Sequence, residues 1–149
     1  MISFLRYGLP LLVWMVMIFS ASSDAQSVAH TSRFLEPFLR WLRPDISAES
    51  IDAVRWVVRK AAHMTEFAVL AWLVWRGLRR PVRHDVRPWS ARLAWCALGF
   101  AALYAVTDEF HQSFVPNRTA SILDVGIDTA GAALGLLALW MVFRWRRRT

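Results

Sequence analysis

One cysteine, Cys96, in a chain of 149 residues leaves no disulfide framework and no cysteine-based metal ribbon. Equally missing are a His-Glu-x-x-His pair, a phosphate-cradling glycine loop and a Gly-x-Ser-x-Gly elbow, which excludes the recognised hydrolase and nucleotide signatures. No internal repeat or low-complexity tract breaks the chain, and it is too short for a transporter with duplicated halves. The net charge of +7 brings nucleic acid to mind, but the basic residues lie between long apolar runs rather than over a soluble surface, so no nucleic-acid partner is expected. What the chain has in quantity is apolar: 56% of its residues are hydrophobic and nine are Trp. That composition belongs in a bilayer, and the length allows one domain, 1–149, of about four passes at roughly 20 residues each.

Four apolar segments fit those passes. The first runs from Tyr7 to Ala21 behind Arg6 and fits two readings, a retained helix or a cleavable signal peptide ending in the small residues before Gln26. The second runs from about Trp56 to Trp75 and is stopped by Arg76, Arg79 and Arg80. Leu93 to Thr107 forms the third, with Ser90 as N-cap and a full crossing ending near Phe110. Asp124 to Phe143 forms the fourth, opened by Ser121 with Asp124 three residues later as in a capping box. Between the first two, Phe34, Phe38, Trp41 and Leu42 recur at helical spacing opposite Arg33, Glu36, Arg40 and Arg43. This predicts a short helix containing Pro37, either lying on the membrane surface or capping the bundle.

Charge sets the orientation. The connection from 76 to 92 holds six Arg and one Asp, the carboxy terminus Arg144, Arg146, Arg147 and Arg148, and the amino terminus Arg6. The first connection, by contrast, carries Asp24, Glu36, Asp45, Glu49 and Asp52 against three Arg. The positive-inside rule then places both termini in the cytoplasm, with Trp75, Trp89, Trp140 and Trp145 in an inner aromatic belt and Trp56 in an outer one. The fold expected is an all-α bundle of four transmembrane helices with both termini cytoplasmic, with membrane lipids as its surroundings and an undetermined oligomeric state.

That topology brings the ionisable groups to one depth. The second helix descends through Arg59, Lys60, His63 and Glu66, the third rises to Asp108 and Glu109, and the fourth descends through Asp124 and Asp128. Arg59, His63 and Glu66 share one stripe, and Asp124, Asp128, Gly131 and Gly135 another. A charge near the bilayer centre costs about 2.5 to 3.5 kcal/mol on insertion scales, so such groups face the bundle and pair. The expectation is an outward-opening polar pocket in which Lys60 or Arg59, with Arg118, neutralises some of the carboxylates. Plainer readings stand beside it: Asp124 as a cap, Asp108 and Glu109 in headgroups, Gly131 and Gly135 as a packing surface, and charges that only lock helices together. A metal set of His63, Glu66, Glu109 and His111 can be drawn, but no spacing supports it, and neither metal nor cofactor is expected.

Arg59-Lys60-Ala61-Ala62-His63-Met64-Thr65-Glu66-Phe67 resembles the second-helix motif of VanZ-like membrane proteins. Thr107-Asp108-Glu109-Phe110-His111-Gln112, followed by Ser113-Phe114-Val115-Pro116-Asn117-Arg118 and Ser121-Ile122-Leu123-Asp124, is similar to that family's Asp-Glu-x-His-Gln run, its aromatic-Val-Pro-x-Arg turn and its Ser-x-x-Asp. The likeness covers roughly residues 9–137, including the Ile-Phe-Ser-Ala-Ser-Ser stretch, where the family retains its first helix. Asn117 departs from the usual Gly, Asp128 from the common Asn and Phe67 from the common Tyr. Asn still tolerates the left-handed turn, whereas Asp128 adds a negative charge that needs a basic neighbour or a proton.

The resemblance implies an envelope protein connected with susceptibility to teicoplanin, a lipid-bearing glycopeptide, without a settled biochemical activity. Two classes of function follow as expectations. In the first, the polar pocket of Arg59, Lys60, His63, Glu66, Asp108, Glu109, His111, Gln112, Arg118, Asp124 and Asp128 binds a lipid-linked cell-wall precursor or a glycopeptide. In the second, a membrane-embedded transferase or hydrolase acts on a lipid-linked phosphate or glycan, with a carboxylate or His63 as base and Arg118 steadying an anion.

Overall fold

The computed structural model of the chain describes residues 4–23, 27–80, 87–116 and 120–147, and all regular structure among them is helical. A π-helical turn, Phe4–Gly8, leads into α1, Leu9–Ser23; α2, Ser27–Leu42, α3, Ala48–Arg79, α4, Ala91–Gln112, and α5, Ile122–Trp145, follow. Phe4–Ser23, Ala91–Gln112 and Ile122–Trp145 are long and apolar enough to cross a membrane. The other long helix, α3, has 32 residues and continues past both ends of the expected 56–75 segment. At about 1.5 Å per residue it is longer than the roughly 30 Å thickness of a hydrocarbon layer.

Serines start three of these helices by accepting orphan backbone N–H groups: Ser47 Oγ from Ser50 (3.2 Å), Ser90 Oγ from Leu93 (3.4 Å) and Ser121 Oγ from Leu123 (3.2 Å). The capping box expected at Ser121 is built differently. The Ser121 N–H donates to Glu109 Oε2 of α4 at 2.8 Å, and Asp124 turns instead to a lysine on α3. At the far end of α3, Arg80 adopts a left-handed backbone (φ 46°) and its N–H closes on Arg76 O.

The axis of the bundle is α3, which packs against each of the other helices. Its partners meet it through small residues. Ala97, Ala101 and Ala105, one turn apart on α4, are fully buried with Phe67, Leu70 and Ala71 of α3. On α5 a Cβ added at Gly131 would meet the Met64 carbonyl and lie 2.6 Å from Met64 Cα, and one at Gly135 would lie 2.7 Å from Ala68 Cβ. Backbone therefore rests on backbone along the α3 and α5 contact. Helix α1 joins through buried Ile18 and Ser22, through Trp14 Nε1 donating to Glu66 O (2.9 Å) and through Tyr104 Oη donating to Met15 O (2.7 Å).

Two aromatic assignments are corrected. Trp75 is buried and stacks on Trp89 at 5.0 Å, with Phe143 alongside, so these rings form a packed plug rather than an interfacial belt; Trp145 and Trp56 remain exposed. Arg79, expected as a flanking charge, is only 5% exposed. Its guanidinium donates to the Arg87 and Pro88 carbonyls at 2.7 and 2.9 Å and lies over the Trp75 and Phe143 rings, where its planar fork fits as a lysine would not. Helix α2 turns its aromatic face away from the bundle, with Phe34 and Trp41 each 77% exposed, while Glu36 faces Arg40 and, on α3, Arg55.

Candidate functional site

The polar side chains converge where α1 ends, α4 ends and α5 begins, against the middle of α3. Register explains the meeting: the chain reverses between α4 and α5, so the last turn of one and the first turns of the other lie side by side. Lys60 Nζ stands 2.5 Å from Asp124 Oδ1, with both side chains about one-fifth exposed, and 5.8 Å from the Trp56 ring centre. One α-helical turn further along α3, His63 Nδ1 lies 3.9 Å from Glu66 Oε2 and 3.9 Å from Asp128 Oδ1. Arg59 is half-buried on the same helix.

Asp108 is the inner anchor. It is 2% exposed, and its Oδ2 accepts from Ser22 Oγ at 2.8 Å and from Gln112 Nε2 at 2.9 Å. Among the described residues its buried Oδ1 has no hydrogen-bond partner, nor does Oδ2 of Asp128, a residue also 2% exposed. Glu109 is turned to the start of α5 through the Ser121 N–H. His111 lies at the margin, its Nε2 2.9 Å from Ser23 Oγ and its ring stacked on Phe19 at 4.1 Å. Arg118 and Asn117 lie outside the described residues.

The structure thus brings together Lys60, His63, Glu66, Asp108, Glu109, Gln112, Asp124 and Asp128, and holds His111 beside them. Gly131 and Gly135 continue the same α5 stripe as the close contact with α3. The metal set drawn from sequence is not the one that forms among the described residues: His63 groups with Asp108 and Asp128, one residue from each of three helices, with ligand atoms within 4.8 Å of one another. Ser22 and Ser23 were not among the site residues expected from the sequence, where they stand only among the small residues before Gln26 and in the family-like stretch. A serine on the buried face of an apolar helix is the signal that marks Ser22, since a hydroxyl there needs a polar partner.

Chemically the cluster is acidic. Glu66, Asp108, Glu109, Asp124 and Asp128 outnumber Lys60, which pairs with Asp124, among the described residues, an arrangement that draws cations and hydrogen-bond donors. Comparison with curated proteins and with solved structures returns no match. The family comparison does: the model described as VanZ/LLP1 matches residues 7–144, which takes in α1 to α4, all of α5 but its last residue, and every side chain of the cluster. The chain therefore belongs to the VanZ/LLP1 family, and with its three apolar spanning helices it is a membrane protein of that family.

Proposed function

We propose that the chain is a four-pass protein of the bacterial cytoplasmic membrane, both termini inside, whose polar cluster opens to the outer side and binds the polar part of an amphiphilic or lipid-linked molecule. A wall precursor or a teicoplanin-type glycopeptide is the ligand class. The observation that carries the reading is the convergence of ionisable groups from α3, α4 and α5, with Ser22 of α1, at one end of the bundle. Groups this costly in a bilayer gather where they act or where they pair, and several of these are only partly enclosed. The fourth crossing is α3, whose charged stripe faces the bundle and is screened from lipid by its neighbours. The exposed aromatic face of α2 supports a helix lying in the outer headgroup layer.

The test compares wild-type chain with Glu66→Gln and Asp124→Asn after incubation with isoprenoid-linked precursors and with teicoplanin. Weaker binding in both variants, with every lipid recovered unchanged by mass spectrometry, is the expected result. Unaltered binding in both would contradict it. A second reading, catalysis on a lipid-linked phosphate or glycan, is favoured by His63 standing between Glu66 and Asp128 as a base stands between its orienting carboxylates. Product formation by wild type, lost in both variants, would select that reading.

A further inference from the structure

We propose that His63, Asp108 and Asp128 form a binding site for one divalent transition-metal ion of the Mn2+ or Zn2+ kind. The spacing carries the first part of the argument. Ligands bound at about 2.1 Å stand roughly 3.0 to 4.2 Å apart, from adjacent to opposite positions around the ion. His63 Nδ1 and Asp128 Oδ1, at 3.9 Å, are too far apart for a hydrogen bond and well placed to share a cation. The whole group, within 4.8 Å, closes by small side-chain rotations.

The second part is independent of spacing. Among the described residues, Asp108 Oδ1 and Asp128 Oδ2 are buried acceptors without a hydrogen-bond partner, on residues only 2% exposed. Each such oxygen is destabilising when nothing satisfies it, and two carboxylates side by side repel one another as well. Ser22 and Gln112 both direct their donors to Oδ2 of Asp108, which fixes that carboxylate and leaves its other oxygen for the ion. Lys60, the cation of the neighbouring ion pair, is engaged by Asp124. A doubly charged ion between Asp108 and Asp128 satisfies both oxygens and offsets both charges.

Ligand chemistry selects the metal. Mg2+ and Ca2+ prefer oxygen alone, whereas one imidazole with two carboxylates suits Mn2+ or Zn2+. Three protein ligands leave a position for water or for an oxygen of phosphate or carboxylate. A loaded site would thus offer an anionic oxygen a direct bond to the ion. The inference goes beyond the ligand reading and is tested without lipid or drug, so either can fail without the other.

The experiment uses full-length protein in detergent, stripped with EDTA and dialysed separately against Zn2+ and Mn2+, with metal content read by mass spectrometry and unfolding by Trp emission. About one ion per chain and a raised Tm are expected in wild type. Asp128→Asn and His63→Gln should weaken binding by at least about 10-fold, while Glu49→Gln, an exposed carboxylate on α3, should not. Wild type holding neither ion at a stoichiometric level would overturn the proposal, and this needs no variant to fold. So would zinc K-edge scattering that reports sulfur, which would place the ion at Cys96, or nitrogen and oxygen ligands retained in full by both site variants.

Discussion

Gly131→Ala will lower the stability of the bundle by about 3 kcal/mol, while Gly126→Ala, five residues earlier on the same helix, will leave it unchanged or slightly raised. The two substitutions are chemically identical, so propensity cannot distinguish them: alanine favours a helix over glycine by about 1 kcal/mol at either place. Space does. A methyl at Gly131 runs into the backbone of Met64, with Cα at 2.6 Å, whereas among the described residues nothing lies within 4 Å of one at Gly126. Backbone cannot rotate aside as a side chain can, so α3 and α5 must move apart, and overpacking of this kind costs about 1 to 3 kcal/mol or more. Separation also lengthens the distances from α3 to Asp124 and Asp128. Tm in detergent, followed by Trp emission, measures the difference; equal values for the two variants would show that the helices do not touch there.

Lys60→Met should be the most damaging single change within the polar cluster. It leaves Asp124 without its ammonium partner at 2.5 Å and strengthens the mutual repulsion of Glu109, Asp124 and Asp128. Exposed pairs contribute up to about 1 kcal/mol, and breaking a fully buried one costs about 3 to 5 kcal/mol. A pair with side chains 22% and 23% exposed falls between, at about 1 to 2 kcal/mol. Asp124→Asn added to Lys60→Met should restore most of the loss, because the stranded charge is removed with its partner. The double-mutant cycle reads this directly, and strict additivity would show that the two residues do not act as a pair.

The apolar periodicity made the helices legible, and the serines at 90 and 121 located their starts, because both signals are local. What was not legible depends on partners distant in the chain. The small-xxx-small pattern of Gly131 and Gly135 reads as packing from the sequence, but Met64 and Ala68 as the surface they meet do not. Asp124 three residues after Ser121 fits a capping box by spacing alone; only the fold reveals that Glu109 takes the Ser121 N–H and frees Asp124 for Lys60. Likewise, Trp75 and Trp89 sit where belt residues sit in sequence, yet they stack on each other, with the Arg79 guanidinium over the Trp75 ring. The grouping of His63 with Asp108 and Asp128, residues from three helices, has no sequence spacing to betray it.

The charge distribution along the chain predicts that this cluster lies on the outer side of the membrane. Single cysteines at Ala120, exposed beside the cluster, and at Arg147, exposed at the opposite end of α5, put it to the test in a Cys96→Ser background. A membrane-impermeant maleimide applied to intact cells should label position 120 and reach 147 only after permeabilisation. Labelling of 147 in intact cells, with 120 silent until the membrane is opened, would invert the bundle and contradict the claim.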